Sequence, residues 1–230
     1  MEKKFILTDE FVVNTFGVKL FRIKCVKSFK YAKEGELGGL IEKEENLEQS
    51  GYAWVYGDAW VYGNARVSGD ARVYGNARVS GNAQVYGDAR VSGNAWVYGN
   101  ARVYGNAWVY SDAWVSGNAQ VYGYAWVYGD ARVSGNAWVY GNARVSGYAW
   151  VYGDAKIESN DSHCGFDCFG SANRHTHAYL TKDNKVEITC GCFKGSIEEF
   201  EKKVEETHSG TVYEKQYKAI IDVIKIKFGL

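Results

Sequence analysis

A valine stands at every sixth position from Val55 through Val61 and Val67 to Val151 without one slip, and Ile157 closes the series at eighteen units. The unit reads Ala, a variable residue, Val, Tyr or Ser, Gly, Asn or Asp, as in Ala65-Arg66-Val67-Ser68-Gly69-Asp70. Three alternating residues make a short strand with Val inward and its two neighbours outward, while Ala is small enough for a tight interior corner. Gly then accepts any backbone geometry, and Asn or Asp tolerates the left-handed region that a sharp corner can require. Each unit is therefore a strand plus a corner, and an uninterrupted array of such units predicts a solenoid over 51–158.

A six-residue unit with an inward aliphatic and a small residue four places later resembles the hexapeptide repeat of the left-handed β-helix superfamily. There, three units make one triangular coil, so the resemblance implies left-handed winding and six coils for this array. At strand spacing the prism would be ~29 Å tall. Two other readings of the tract stay open on sequence alone. One is a right-handed or flattened solenoid; the other is a disordered Gly-Asn-Ser segment, although disorder demands no valine at every sixth place.

If residues eighteen apart stack, the outward ladders can be read directly. One face carries Trp54, Arg72, Arg90, Trp108, Trp126 and Arg144, and a second carries Trp60, Arg78, Trp96, Trp114, Arg132 and Trp150. The third has Arg66, Gln84, Arg102, Gln120, Trp138 and Lys156, with Tyr86, Tyr104, Tyr122 and Tyr140 following its valines. Exposed aromatic area of this size normally marks an interface. Trp54, Trp60, Trp96, Trp108, Trp114, Trp126 and Trp150 are therefore expected in a homo-oligomer interface, with an intramolecular Arg–Trp ladder as the alternative. Proteins of the superfamily often trimerise through their prisms, which makes a trimer the first expectation.

Lysine plus arginine equals aspartate plus glutamate, 27 of each, so no global field draws the chain to long nucleic acid or to anionic membrane. The start, MEKKFILTDEF, lacks a signal-like apolar core, and no stretch approaches the ~18 apolar residues of a membrane span. A cytoplasmic protein is expected. The best-known enzymes of the superfamily, acyltransferases and a type of carbonic anhydrase, place histidines on or near the coils, often on loops that interrupt them. Here no histidine precedes His163 and nothing interrupts the array. Ice-binding β-helices display threonine ladders, and no threonine occurs between residues 51 and 157. No catalytic residue and no cofactor is expected in the prism.

Residues 1–50 are expected to form an N-terminal β cap, with strands over Lys4 to Thr8 and Val18 to Val26 and a turn at Gly38-Gly39. Capping blocks edge-to-edge growth. The stretch from Lys33 through Leu47 resembles the lead-in of hexapeptide-repeat proteins of phages and phage-bearing bacteria. Residues 159–230 are expected to form a small ββαα module. Its strands are Ala178 to Thr181 and Val186 to Cys190, and its first helix is capped by Ser196 with Glu199 three residues on. Its second helix runs from about Val212 to Lys225. Gly170 through Arg174, and Cys190 through Phe200, resemble tail modules of such phage-related proteins.

Two constellations in the tail have chemistry. Cys164, Cys168, Cys190 and Cys192, with His163, His175 and His177, supply enough thiolates and imidazoles for tetrahedral zinc, but CxxxC and CxC replace the usual CxxC pairs. Buried structural thiols are the expected outcome. The loop Gly170-Ser171-Ala172-Asn173-Arg174-His175 gathers a turn, an amide, a guanidinium and an imidazole, groups that hold a phosphate; Ser171, Asn173, Arg174 and His175 are its candidate ligand-binding residues. A polar turn feeding a strand is the plainer alternative. The sequence therefore points to a non-catalytic, oligomeric binding protein that captures a small anionic ligand such as a nucleotide signal, by sequestration in a phage setting. A purely structural scaffold with a protein-docking tail, and an enzyme sited in the tail, are the alternatives.

Overall fold

In the computed structural model, which describes residues 2–230, the hexapeptides form a parallel β-solenoid. Eighteen two-residue strands, β4 (Trp54–Val55) to β21 (Lys156–Ile157), recur every six residues and sort into three sheets with partners eighteen apart, such as Val85↔Val103. The repeat Val and Ala side chains are buried throughout. Between coils the N–H before each valine donates to an alanine carbonyl and the N–H after it to a valine carbonyl, as in Arg66 N→Ala83 O at 2.9 Å and Ser68 N→Val85 O at 3.0 Å. These outward-residue amides all point toward the C-terminal end.

The ladders read from sequence are present and are reinforced along the axis. Tyr86, Tyr104, Tyr122 and Tyr140 stack with centroids 4.9, 4.8 and 5.0 Å apart. At one corner Asn64, Asn82, Asn100, Asn118, Asn136 and Asp154 form a chain in which each amide donates to the next residue at 3.0–3.3 Å. At the Gly81 corner φ is +67° and an added Cβ would sit 3.0 Å from the Gly99 amide nitrogen, so the close stacking of corners itself demands glycine.

The solenoid begins earlier than the hexapeptides, giving about seven turns. Strand β3 (Leu37–Ile41) pairs in parallel with Trp60–Val61, and Leu47 bridges Val67. Gly38 and Gly39 are accordingly not a turn. Both lie inside β3, where a Cβ would collide with Ile23 and the Val55 carbonyl, or with Val55 and the Ala59 carbonyl. The cap proper is β1 (Phe5–Val13) and β2 (Lys19–Cys25), antiparallel to each other, with β2 also antiparallel to β3, so that one face becomes a nine-stranded sheet. The cap also corrects one interface expectation. Trp54 is fully buried, with Phe5 and Phe29 edge-on at 6.3 and 5.4 Å, and is closed to any partner. The Lys4 ammonium is buried beside it, donating to the Ala53 carbonyl at 2.9 Å.

The C-terminal module has four strands rather than two. β22 (His163–Phe169), β23 (Arg174–Leu180), β24 (Val186–Cys190) and β25 (Phe193–Gly195) form an antiparallel sheet in that order. The helices are α1 (Ile197–His208), with the expected Ser196–Glu199 capping box, and α2 (Val212–Phe228), ended by Gly229 at φ 69°. Alternation along the strands splits the module between two partners. Phe166, Ala178, Ile188 and Cys190 pack on Phe200, Val204, Ile220 and Ile224 of the helices. Tyr179 points the other way and joins the solenoid core, and its hydroxyl lies 3.3 Å from the Tyr152 carbonyl and 2.7 Å from Glu187 Oε1. Among the described residues no helix is long and apolar enough to cross a membrane.

Candidate functional site: a cleft between the last coil and the tail sheet

The module does not cover the last coil completely. A cleft of about 370 Å³ remains, with Tyr148 and Trp150 on the solenoid side and Asp167, Cys168, Asn173, Arg174, His175, Thr189 and Gly191 on the tail side. Tyr148 and Trp150 are 62% and 40% exposed, so both present ring surface. Of the four candidate ligand-binding residues, the fold brings Asn173, Arg174 and His175 into the cleft wall. Ser171 is exposed in the connecting turn and does not line it.

That turn is held from behind. Asn173 adopts φ 48° and donates its N–H to the Gly170 carbonyl at 3.3 Å, while the Gly170 N–H donates to Gln216 Oε1 at 3.0 Å. A Cβ at Gly170 would run into the Tyr217 hydroxyl, and one at Gly191 into the Arg174 guanidinium. Arg174 thus lies across Gly191 at the cleft edge. Its guanidinium makes no hydrogen bond or ion pair with any described residue.

Under the cleft lies a polar layer that joins the module to the coil. The Trp150 carbonyl accepts from Thr189 Oγ1 at 3.2 Å and lies 3.4 Å from His177 Nδ1. If His177 donates there, its Nε2 is the acceptor for His163 Nδ1, 3.0 Å away. His175 Nδ1 contacts Asp167 Oδ1 at 2.6 Å, and the His175 Nε2 is buried without a protein partner. Burial lowers His177 to about 3 and His163 to about 4, with Lys227 also acting on His163 and the other two imidazoles on His177. Both folded values lie below the ~6.5 of an unfolded histidine. The unfolded chain therefore binds more protons below ~6.5, and stability present above that pH is lost as the pH falls toward 4. A loss of a few kcal/mol between pH 7 and 4.5 is expected in thermal melts of the tail. It should shrink in His177→Phe, and an equal loss in both proteins would contradict this layer's role.

The cysteines do not converge. Cys190 is buried and accepts from Thr176 Oγ1 at 3.3 Å, Cys164 is half-buried with its thiol pushed up to about 11 by burial, and Cys168 and Cys192 are exposed. Among the described residues no group of three or more His, Cys, Asp or Glu side chains is placed to hold a metal ion. Of the four thiols Cys164, Cys168, Cys190 and Cys192, expected to be buried, Cys164 and Cys190 face the helices, whereas Cys168 (φ 63°), inside the irregular stretch of β22 between Phe166 and Phe169, and Cys192 are exposed, which corrects that expectation for these two.

Trp60, Trp96, Trp108, Trp114 and Trp126 are half-buried in intramolecular stacks. Arg78 lies over Trp60 and Trp96 at 4.5 and 5.0 Å, Arg90 over Trp108 at 4.4 Å, and Arg144 over Trp126 at 4.7 Å. Trp96 and Trp114 stack at 5.3 Å. Sequence reasoning had placed Trp150 with these ladders and missed its part in the cleft. The available signal was its rank, since the position eighteen residues on, Cys168, falls outside the hexapeptide array.

Six stretches, 59–73, 71–84, 83–99, 97–111, 125–140 and 137–153, match the family model described as YdcK Beta solenoid repeat. All lie within the hexapeptide array. No curated protein matches the chain.

Proposed function

We propose that this β-helix repeat protein is a non-catalytic binding protein that captures a small anionic ligand in the cleft above its last coil, acting by sequestration. The observation that carries the proposal is Arg174, an uncommitted guanidinium at the edge of a preformed, aromatic-walled cleft. Arginine in such a place forms strong charge-assisted bonds to phosphate or carboxylate. The Asp167–His175 pair favours positioning over catalysis, because the Nε2 that would act as a base is turned inward, over Gly165. The phage setting, the left-handed winding and the cytoplasmic location belong to the same proposal and rest on the resemblance and composition.

A thermal-shift screen against cyclic mono-, di- and trinucleotides and ADP-ribose derivatives, repeated with Arg174→Ala, tests the proposal. A ligand at a thousandfold its dissociation constant stabilises the fold by ~4 kcal/mol. The expected result is a large shift lost in the variant; no shift from any compound would remove the proposal. A scaffold reading has one observation of its own, the apolar residues Val212, Val223, Ile226 and Leu230 exposed along and just beyond α2. It expects no shift and tolerance of Arg174→Ala.

Self-association through the ladder faces carrying Trp60, Trp96, Trp108, Trp114 and Trp126 is part of the proposal, with a trimer as its first form. Light scattering after gel filtration should then give three times the 25.7 kDa chain mass. A monomer at micromolar concentration would leave the Arg–Trp stacks as purely internal ladders.

A further inference from the structure

The face that ends at Trp150 is a column of stacked planar groups. Arg78 is followed by Trp96 and Trp114, and Arg132 then lies between Trp114 and Trp150, 4.8 and 5.2 Å from their rings. Every rung below Trp150 is covered by the next planar group. At Trp150 the column stops: Arg132 covers the ring from the coil beneath, and the next rung would be residue 168. That residue is Cys168, an exposed, non-planar side chain on the far wall of the cleft. The cleft therefore occupies the place of the missing rung.

The backbone at the same edge is unfinished in a complementary way. In the coil below, Arg132 N donates to Ala149 O at 2.8 Å and Ser134 N to Val151 O at 2.9 Å. The corresponding amide in the cleft is that of Trp150, which points the same way with no coil above it and donates to no described residue, and the corner amide of Tyr148 likewise has no described acceptor. The Trp150 carbonyl, by contrast, is taken up by Thr189 and His177. The cleft thus offers an uncovered indole face, unclaimed amide donors and the Arg174 guanidinium. The guanidinium and the free amides suit an anion, which must sit on their side of the cleft, away from the Asp167 carboxylate that His175 holds through Oδ1. Its volume, about 370 Å³, lies near the lower end of the ~300–1,000 Å³ of small-molecule sites and favours a ligand with one ring system over a dinucleotide.

Building on the binding proposal above, we infer that the cleft takes a nucleoside monophosphate whose base stacks on Trp150 as the missing rung and whose phosphate meets Arg174 and the free rim amides. Calorimetric titration of the full chain with adenosine and guanosine 5′-monophosphates, ribose 5-phosphate and orthophosphate tests it, using wild type, Trp150→Ala, Trp150→Phe and Arg174→Ala. The base should tighten binding about tenfold or more over ribose 5-phosphate. Trp150→Ala should erase that difference and Trp150→Phe should keep most of it. If ribose 5-phosphate binds as tightly as the monophosphates, or if the difference survives Trp150→Ala, the inference is overturned while Arg174-dependent phosphate binding would leave the anion site standing. Binding of none of these compounds would overturn the inference, while a shift by other anions in the screen would still leave the binding proposal intact. Should Trp150→Ala fail to fold, the wild-type comparison of monophosphate with ribose 5-phosphate decides.

Discussion

Val103→Asp should cost at least ~4 kcal/mol and break the solenoid into two independently melting halves. Val103 is fully buried between Val85 and Val121, with no polar side chain facing it inside the prism. A carboxylate placed there has no donor to meet, and protonating it still leaves a polar group in an alanine–valine interior. Each coil contacts only its neighbours, so the damage stays local while the link between the two sides is lost. Amide hydrogen exchange should show protection collapsing around residues 97–109 and surviving at both ends. Uniform loss over the whole array would show that the coils fold as one indivisible unit, contrary to this expectation.

Trp54→Ala carries the second large effect, about 3–5 kcal/mol, characteristic of deleting a buried aromatic side chain. The indole fills the junction between the cap and the first coils, held edge-on by Phe5 and Phe29. Its removal should free the cap in urea denaturation before the solenoid unfolds and should expose the row of unpaired backbone groups at that end. Concentration-dependent end-to-end assembly in light scattering is the expected consequence. The same experiment separates two roles for this residue. A tryptophan in an oligomer interface would lose oligomer mass at unchanged chain stability, whereas a cap-to-coil residue loses stability first.

How much of this was legible in the sequence depends on whether a residue's environment is set by the repeat or by something outside it. The buried Val and Ala columns and the eighteen-residue ladders followed from spacing, because every coil supplies the same neighbours to the next. Trp54 obeys the same period and still ends up buried, since its cover comes from Phe5 and Phe29, and no local pattern shows that. Gly38-Gly39 looked like a turn, but there glycine serves close packing against Ile23 and Val55 within a strand. Strand β22 escaped notice because His163, Gly165 and Asp167 alternate with Cys164 and Phe166, and of that polar side only His163 gains cover from the last coil, while Gly165 and Asp167 stay exposed. In the site, Asn173, Arg174 and His175 could be found as a polar loop. The aromatic wall could not be singled out by type, because Trp150 is one of eight alike tryptophans and differs only in being the last rung of its column.

The central claim is that the Arg174 cleft holds an anion, and the most direct measurement is the heat of titrating orthophosphate and nucleoside monophosphates into the wild-type chain and into Arg174→Ala at two salt concentrations. The expected result is one site per chain, weakened by salt and lost in Arg174→Ala without change in the variant's melting temperature. Binding that Arg174→Ala leaves intact would contradict the account, and the absence of both heat here and any thermal shift in the anion screen would return the cleft to a packing gap between coil and tail.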